Sequence, residues 1–402
     1  MNTNPKLRPL EARWINHNGQ PGILLQDRLG ISQPALIPQT LVPLLTLCDG
    51  VRSLQAIRAG FELRTGMPIS LATVERLAKE LEEALLLDGI HFQAAYQKSM
   101  EEYRTAPHRD MSLAGQVYPA DPDELERTLR AYGGDSKKGT VGPTSLRGLV
   151  CPHIDYARGG SIYAGVWEQA SQAAGASDLV VVFGTDHSGE GPTLNLTRQS
   201  YATPWGILPT DNEAVELVAA VLGDDRSFSH ELHHRNEHSL EAALVWLHFA
   251  RKRQPCHVVP VLCGALEGDN AAAGRSHHGQ FLEAIQALRQ ATAGRQVLVV
   301  AAADLAHVGP AFGDPQAFGP TAQRNLASED ERMLASVCAG DPEGFLASAT
   351  AHDDRNRVCG ASAIYAMLHF LQGCHGEVTG YQQCPADSVG ASFVSIAGVI
   401  LQ

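Results

Sequence analysis

The sequence predicts an α/β fold in which a mainly parallel sheet is covered by helices on both faces. The strand-like segments are almost uninterrupted apolar runs, helical patterns separate them, and 44% of the residues are hydrophobic. Strands of this composition are buried on both faces, as in parallel sheets with helical connections. The predicted strands lie in "LRGLVCPH", "DLVVVFGTD", "CHVVPVLCG", "QVLVVAAADLAH" and "ASFVSIAGVI". The predicted helices between them lie in "SIYAGVWEQASQA", "DNEAVELVAAVLG", "SLEAALVWLHFARK", "GQFLEAIQALRQAT", "SEDERMLASVCAG" and "GASAIYAMLHFLQG".

A small separate domain is predicted for residues 1–105, and the α/β domain occupies residues 106–402. Asn18-Gly19 between two short apolar segments predicts a β-hairpin. Two short helices, in "IPQTLVPLLTLCDG" and "SLQAIRAGFELRTG", each end at a glycine. The segment "SLATVERLAKELEEALLLDG" predicts an amphipathic helix. A hairpin with three helices resembles a winged-helix module, and most closely the PqqD-type domains that hold peptides or partner proteins.

Two segments lead from the small domain to the first strand of the sheet. The polar stretch "YQKSMEEYRTAPHRDMS" is predicted to join the two domains. Asp121 before Pro122 predicts the start of a helix. Residues 133–145, "GGDSKKGTVGPTS", have the composition of a flexible loop.

Composition and charge exclude several classes of function. The 402 residues carry a formal charge of −13, and no basic cluster has interleaved aromatic residues, which argues against a nucleic-acid partner. No stretch approaches the roughly 18 uninterrupted apolar residues of a membrane span, and the N-terminus lacks a signal-peptide core. These features predict a soluble cytoplasmic protein. The eight cysteines show no CxxC pairing, so most are predicted to be buried thiols in a reducing compartment and one or two to be functional.

Polar residues follow three of the predicted strands at the point where each strand ends. In a parallel sheet these ends meet at one edge, where open α/β sheets bind their ligands. Neutral imidazole is the commonest metal ligand in proteins, and a neighbouring carboxylate commonly fixes which ring nitrogen binds. A metal site or an acid–base site is therefore predicted at this edge. The residues are His153 and Asp155, Asp186 and His187, and Asp304 and His307.

A fourth element, "HHRNEHSLEAAL", places His238 and Glu241 three residues apart at the start of a predicted helix. At this spacing the two side chains share a face, so both are candidate catalytic residues. Alternatively, Asn236 or Ser239 caps the helix and Glu241 complements its dipole. The preceding histidines, His230, His233 and His234, are predicted to lie in a solvated loop.

Two cysteines stand apart from the predicted core. Cys384 lies in "GYQQCPADSVGAS", which is predicted to be a polar, turn-rich loop, and a thiolate there suits Cu(I), iron or zinc. Cys359 opens a predicted helix, whose N-terminus would lower the pKa of the thiol and make it reactive. Packing at the start of the helix is the alternative for Cys359.

Eight motifs in order resemble the Memo family, which includes protein B of the AmmeMemoRadiSam system. The motifs are "AGQVYPAD", "PHIDYARGGSIYAG", "VVFGTDHS", "TPWGILPTD", "NEHSLE", "VVPVLCGAL", "DLAHVG" and "CGASAIYAML". The resemblance covers about residues 107–402. It implies a fold like that of class III extradiol dioxygenases, with a metal-site pocket at the corresponding place.

The resemblance also implies roles for individual residues. Metal ligands are expected at His153, at His187 and at Cys384, where the dioxygenases use a carboxylate. Asp304 and His307 are expected near the metal, with His307 as the general base. The chain has "DHS" where the family often has two adjacent histidines and "PHIDY" where it commonly has "PHAGY". Both departures are expected to add a carboxylate near the site, and Asp186 is expected to orient a neighbour or to tune the charge.

These residues predict an iron- or copper-dependent oxidoreductase of dioxygenase-like type, in which His307 moves a proton. One alternative is a zinc-dependent hydrolase that uses the same residues. Another is a non-enzymatic module that binds a peptide or a partner protein. The family context implies AmmeMemoRadiSam partner proteins, including a radical-SAM enzyme, and a small-molecule or peptide substrate.

Overall fold

The computed structural model describes residues 4–133, 145–189, 191–266 and 273–402. Residues 134–144 of the predicted loop at 133–145 lie outside this part of the chain. The chain divides into two compact units, Met1–Thr105 and Ala106–Gln402. Each unit is described below by itself.

The first unit contains a three-stranded antiparallel sheet. Its strands are β1 (Glu11–His17), β2 (Gln20–Gln26) and β3 (Ala35–Pro38), paired in that order. The predicted hairpin joins β1 to β2, with Asn18 at φ 52° and Gly19 at φ 80°. Left-handed backbone at both turn positions is the type I′ arrangement that matches the twist of paired strands, which explains the Asn-Gly sequence.

Four helices complete the first unit: α1 (Val42–Leu45), α2 (Leu54–Thr65), α3 (Leu71–Glu83) and α4 (Ile90–Thr105). Ser53 and Ser70 cap α2 and α3 by accepting from backbone N–H groups of the first turn. Helix α4 occupies much of the segment that sequence analysis treated as a polar join. It buries only the sparsely spaced Phe92, Met100 and Tyr103, so its apolar pattern is weak. The winged-helix and PqqD-like assignment of this unit stays a prediction.

The second unit is built on an eight-stranded mixed sheet. Its strands are β4 (Gly148–Cys151), β5 (Leu179–Thr185), β6 (Leu194–Leu196), β9 (His257–Cys263), β10 (Val297–Ala302), β11 (His307–Val308), β12 (Gly376–Pro385) and β13 (Phe393–Leu401). Seven strands follow the order β11-β13-β4-β10-β5-β9-β6, and β12 also pairs with β13. A separate two-stranded sheet contains β7 (Tyr201–Thr203) and β8 (Gly206–Leu208).

The predicted α/β fold is confirmed, and its parallel part is the centre of the sheet. Strands β4, β10, β5 and β9 run parallel, whereas β6, β11, β12 and β13 pair in antiparallel fashion. The last predicted strand, β13, is antiparallel to β12, which it follows through a short connection, and it is also antiparallel to β4. Strand β12 includes residues 380–385 of the segment that was predicted to be a polar loop, and residues 386–392 lie outside helices and strands, as predicted. The mostly half-buried Tyr and Gln residues of β12 lack the apolar pattern of a buried strand.

Helices cover both faces of the central sheet, as predicted. Val181 and Phe183 of β5 belong to one large core cluster, and Val180 and Val182 belong to another. Alternate residues of a strand point to opposite faces, so each cluster fills one side of the sheet. The helices are α5 (Pro122–Tyr132), α6 (Tyr156–Ala176), α7 (Asn212–Leu222), α8 (Asp224–Phe228), α9 (His238–Ala250), α10 (Ala273–Ala291), α11 (Pro320–Cys338), α12 (Pro342–Ala349), α13 (Ala351–Asp354) and α14 (Ala361–Leu371). Within the described ranges, no helix has both the length and the apolar character needed to cross a membrane.

A glycine in β5 allows the start of α9 to pack closely on the sheet. A Cβ atom at Gly184 would lie 2.7 Å from the Ser239 hydroxyl oxygen and 2.8 Å from the side chain of Leu240. These are sub-van-der-Waals distances, so only glycine fits without movement. The close approach brings the first turn of α9 to the carboxyl end of β5.

Candidate metal centre

Three histidines from separate elements meet at the carboxyl edge of the parallel strands. His153 follows β4, His187 follows β5, and His238 is the first residue of α9. One ligand atom from each lies within 4.8 Å of the others, the one such group in the described part of the chain. The ring centroids are 5.1 Å apart for His153 and His187, 5.3 Å for His153 and His238, and 4.6 Å for His187 and His238.

The hydrogen bonds of these imidazoles suit a metal site. Nδ1 of His153 lies 3.0 Å from the carbonyl oxygen of Ala302, which can only accept. Nδ1 of His187 and Nδ1 of His238 lie 2.9 Å and 3.1 Å from Oε1 of Glu237. With Nδ1 acting as donor, each ring would bind a cation through Nε2, which is the usual arrangement of metal-binding histidines. Burial lowers the pKa of His153 to about 4, which keeps this ligand neutral at pH 7.

Glu237 is a site residue that sequence analysis missed. Its carboxylate caps α9 by accepting from the backbone N–H groups of His238 at 2.9 Å and Ser239 at 3.1 Å. It also accepts from the backbone N–H of His187 at 3.1 Å. Burial alone would raise the pKa of Glu237, but the two imidazoles hold it well below the ordinary value. Glutamate is an uncommon N-cap residue, so the sequence pointed to Asn236 or Ser239 as the cap of α9 and not to Glu237.

Asp304 and His307 lie beside the cluster, after strand β10. Oδ1 of Asp304 accepts from the backbone N–H groups of His153 at 2.9 Å and Ile154 at 3.2 Å, and Oδ2 lies 3.6 Å from Nε2 of His153. Nδ1 of His307 donates to the carbonyl oxygen of Leu305 at 3.2 Å. Burial lowers the pKa of His307, and the nearby Asp304 offsets part of that effect. His307 is therefore a neutral imidazole at pH 7.

The structure does not bring Cys384 into the histidine cluster. Cys384 lies in strand β12 opposite Val394 and is fully buried against the apolar side chains of Ile154 and Ile396. Its Sγ lies 3.7 Å from the carbonyl oxygen of Arg158. The expectation of a metal ligand at Cys384 rested on a predicted polar loop and on the family resemblance. In the structure this residue lies in a strand, and its side chain belongs to an apolar cluster.

The thiol that lies at the cluster is that of Cys359. Its Sγ is 3.3 Å from Nε2 of His153 and 3.9 Å from the carbonyl oxygen of Asp304. Burial, followed by the negative charge of Asp304, raises the pKa of the Cys359 thiol well above its ordinary value. Without a cation beside it, the sulfur is therefore a protonated thiol.

Asp186 and Asp155 are the two carboxylates that were expected to lie near the site, and their contacts are local. Asp186 is buried and accepts from the backbone N–H of Ser188, from the side-chain amide of Asn195 and from Nδ1 of His233 at 2.9 Å. Asp155 caps α6 and pairs with Arg158. Asp186 therefore orients a neighbouring imidazole, but that imidazole is His233 and not one of the three clustered histidines.

Glu241 belongs to a buried network with a structural character. Its carboxylate pairs with Arg109 and accepts from Ser112 N–H at 2.9 Å, Leu113 N–H at 2.9 Å and Tyr118 O–H at 2.6 Å. Burial would raise the pKa of Glu241, but Arg109 and these donors lower it. The network attaches residues 109–118 to α9, so these contacts give no support to the predicted catalytic role.

His233 and His234, which precede α9, are buried, contrary to the solvated loop that was predicted, whereas His230 is exposed as predicted. His233 is 8% exposed and His234 is fully buried, within the 3-10 helix Glu231–Arg235. Nδ1 of His234 contacts Tyr201 O–H at 2.7 Å, and its Nε2 contacts the carbonyl oxygen of Asn195 at 3.0 Å. Polar groups inside the fold thus satisfy the hydrogen bonds of these imidazoles in place of water. The polar sequence "HELHH" gave no sign of these distant partners.

The fold and the site together define an α/β protein with a three-histidine cluster at the edge of its parallel strands. A family model described as Memo-like protein matches residues 109–400, so the chain belongs to the Memo family. A MEMO1 family protein of Aquifex aeolicus is 27% identical over 387 residues, covering 94% of this chain and 95% of its own. A relative from Thermus thermophilus is 28% identical, and the alignment covers 82% of this chain and 94% of the relative. A relative from Methanosarcina barkeri is 28% identical, and the alignment covers 65% of this chain and 85% of the relative.

The coverage of these relatives differs at the first unit. The Aquifex aeolicus alignment extends into Met1–Thr105, because the second unit alone makes up only about three quarters of this chain. The shorter Methanosarcina barkeri alignment fits within the length of the second unit. The histidine cluster lies entirely inside the residues matched by the family model.

Proposed function

We propose that this Memo-family chain is a metal-dependent oxidoreductase that holds one iron or copper ion at His153, His187 and His238. The observation that carries the proposal is the convergence of three imidazoles whose Nδ1 atoms are all held by acceptors. Cys359 is the proposed fourth ligand, since its sulfur lies 3.3 Å from Nε2 of His153. Imidazole suits iron, copper and zinc, and a thiolate adds preference for softer ions such as Cu(I).

A bound iron or copper ion would supply one-electron chemistry and a site for O₂. Glu237 orients two of the ligands, and Asp304 holds the backbone of the third through the N–H groups of His153 and Ile154. His307 is the proposed proton carrier. Its Nδ1 donates to the carbonyl of Leu305, so Nε2 is the atom that would accept a proton from substrate. Such general base steps typically contribute about 10²–10⁴-fold to a rate.

A zinc-dependent hydrolase is the second candidate function. Three histidines, each oriented by a carboxylate or a backbone carbonyl, also form the ligand pattern of catalytic zinc sites. A bound zinc ion would supply an activated water molecule, and His307 would have the same proton-transfer role. This candidate requires neither O₂ nor a change of oxidation state.

Metal analysis of protein purified without oxygen separates these candidates. We expect about one iron or copper per chain, lost in His187→Ala and in His238→Ala but retained in the control His257→Ala, which changes an exposed residue at the start of β9. Bound zinc with turnover in the absence of O₂ would favour the hydrolase. Bound metal without turnover of any tested substrate would favour a non-enzymatic binding role. Ligand variants that keep their iron and copper would refute the assignment.

We further propose a cytoplasmic protein that acts on a small molecule or a peptide, together with AmmeMemoRadiSam partner proteins that include a radical-SAM enzyme. The family membership supports this proposal, and the first unit offers exposed apolar side chains for recruitment, among them Leu63 at 88% exposure. The full-length chain is expected to co-purify with the radical-SAM enzyme, and Leu63→Glu is expected to weaken that association. Absence of co-purification at stoichiometric concentrations would contradict the proposed partnership.

A further inference from the structure

We propose that Glu237 is a shared positioning residue whose single carboxylate sets the coordinating nitrogen of both His187 and His238. The inference rests on the metal centre proposed above, and it extends that proposal to a residue that does not itself contact the ion. Glu237 acts through hydrogen bonds to the rings, and Arg109 holds the turn that presents it.

One oxygen of Glu237 serves both imidazoles. Oε1 lies 2.9 Å from Nδ1 of His187 and 3.1 Å from Nδ1 of His238, and the two rings stack with centroids 4.6 Å apart. An ionised carboxylate is only an acceptor, so both Nδ1 atoms must carry hydrogen. Both rings then present the lone pair of Nε2, which is the form that can bind a cation.

The backbone of Glu237 is anchored from a distant part of the chain. Arg109 donates from Nη2 to the carbonyl oxygen of Glu237 at 2.9 Å and from Nε to that of His234 at 2.8 Å. Arg109 is 1% exposed and its guanidinium pairs with Glu241, so it has little freedom to move. The turn from His234 to Glu237 is therefore fixed at both ends by one planar group.

The third imidazole has a different support. Nδ1 of His153 donates to the carbonyl of Ala302, which belongs to the central strand β10. A backbone acceptor in the sheet cannot be removed by a side-chain substitution. Only the two ligands next to α9 have Nδ1 held by a side chain, so changes at Glu237 should affect His187 and His238 and leave His153 in place.

Glu237→Gln tests the inference because it keeps the size of the side chain and changes its hydrogen bonding. An amide has one acceptor oxygen and one donor NH₂ group. If the amide oxygen faces the two rings, the NH₂ group points at the backbone N–H of His187, and two donors then face each other. If the NH₂ group faces the rings instead, Nδ1 of each ring must become an acceptor. Loss of such a supporting partner typically lowers metal affinity about 10–100-fold.

Two measurements decide the outcome. In metal-free protein labelled with ¹⁵N-histidine, we expect His187 and His238 to be Nδ1–H tautomers in the wild type and at least one to shift in Glu237→Gln. Titration with Co²⁺ should show a 10–100-fold weaker affinity and an altered visible spectrum. The matched control is Glu231→Gln, which changes a buried glutamate that accepts from Thr197 and Arg198, and it should leave both readouts unchanged.

Glu237→Asp keeps the charge and the capping ability but shortens the side chain by one methylene, so it covers the case in which the glutamine variant does not fold. We expect it to weaken Co²⁺ binding as well, since its oxygen cannot reach both rings. Unchanged tautomers or unchanged affinity in a folded Glu237 variant would overturn the inference. If the tautomers are as expected but the wild type binds neither Co²⁺, iron nor copper, the proposed function fails and the positioning role stands.

Discussion

Sγ of Cys359 lies 3.3 Å from Nε2 of His153, although the two residues are 206 positions apart in the sequence. The contact joins the segment just before α14 to the segment just after β4. It places a sulfur atom beside one of the three clustered histidines, and it distinguishes Cys359 from the seven other free cysteines.

Substitution of the two candidate cysteines should give opposite results. Cys359→Ala is expected to weaken binding of iron or copper by about tenfold or more, because it removes a ligand that favours soft ions. Cys384→Ala should retain the affinity of the wild type, because its sulfur packs among apolar residues of β12 and β13. Competition titration with a chromophoric chelator measures both. Equal losses in the two variants would show that Cys384 also takes part in the site.

Removal of Arg109 should strongly destabilise the second unit. Arg109→Met leaves the buried carboxylate of Glu241 without its cation, and breaking a buried pair in this way costs about 3–5 kcal/mol. The control is Arg130→Met, whose ion-pair partner is Glu126 and whose side chain is 67% exposed, and such surface pairs contribute about 0–1 kcal/mol. Urea unfolding monitored by tryptophan fluorescence gives both values. Similar midpoints for the two variants would contradict the structural role assigned to the Arg109–Glu241 pair.

The stability of the metal-free protein should fall in weak acid because of buried histidines. Burial lowers the pKa of His234 and of His248 to about 4, from an ordinary value of 6.5. Between pH 6.5 and pH 4 the unfolded chain therefore binds protons that the folded chain does not. The contribution of each histidine is complete above pH 6.5, and the free energy of unfolding falls by up to about 1.4 kcal/mol per pH unit per histidine as the pH drops towards 4.

The variant His248→Leu isolates one of these contributions. It should reduce the slope of stability against pH in this window by up to about 1.4 kcal/mol per unit. Chemical denaturation at pH 7.0, 6.0 and 5.0 provides the slope for variant and wild type. A slope unaffected by the substitution would mean that His248 is already protonated in the fold or is accessible to water.

Removal of the metal should lower the thermal stability of the wild type but not that of variants that lack a proposed histidine ligand. Any ion that binds only the folded state stabilises it, by about 2.7 kcal/mol when the free ion is at one hundred times its dissociation constant. Tm is therefore expected to fall on treatment with a chelator and to return on addition of iron or copper. His187→Ala and His238→Ala should show the same low Tm with and without chelator. A chelator effect that persists in both variants would place the ion elsewhere.

Sequence patterns predicted the parts of the site that follow directly from strand ends. His153 and His187 come just after apolar strands, so the geometry of a parallel sheet brings them together without detailed knowledge of side chains. His238 was identified only as a catalytic candidate, because its position depends on how closely α9 packs against Gly184. That packing is a tertiary contact with no local signature.

The parts that were mispredicted depend on partners far along the chain. Cys384 was placed in a loop because β12 is polar, and only its pairing with β13 makes it a strand. His233 and His234 look hydrophilic in sequence, but Asp186, Tyr201 and Asn195 satisfy them in the interior. Glu237 has a role that no spacing rule indicates, since its hydrogen-bond partners come from two separate segments.

The single oxygen that contacts both His187 and His238 makes the two residues thermodynamically dependent on each other. When either ring is lost, the carboxylate can turn fully towards the remaining one, so the effects of the two substitutions should not add.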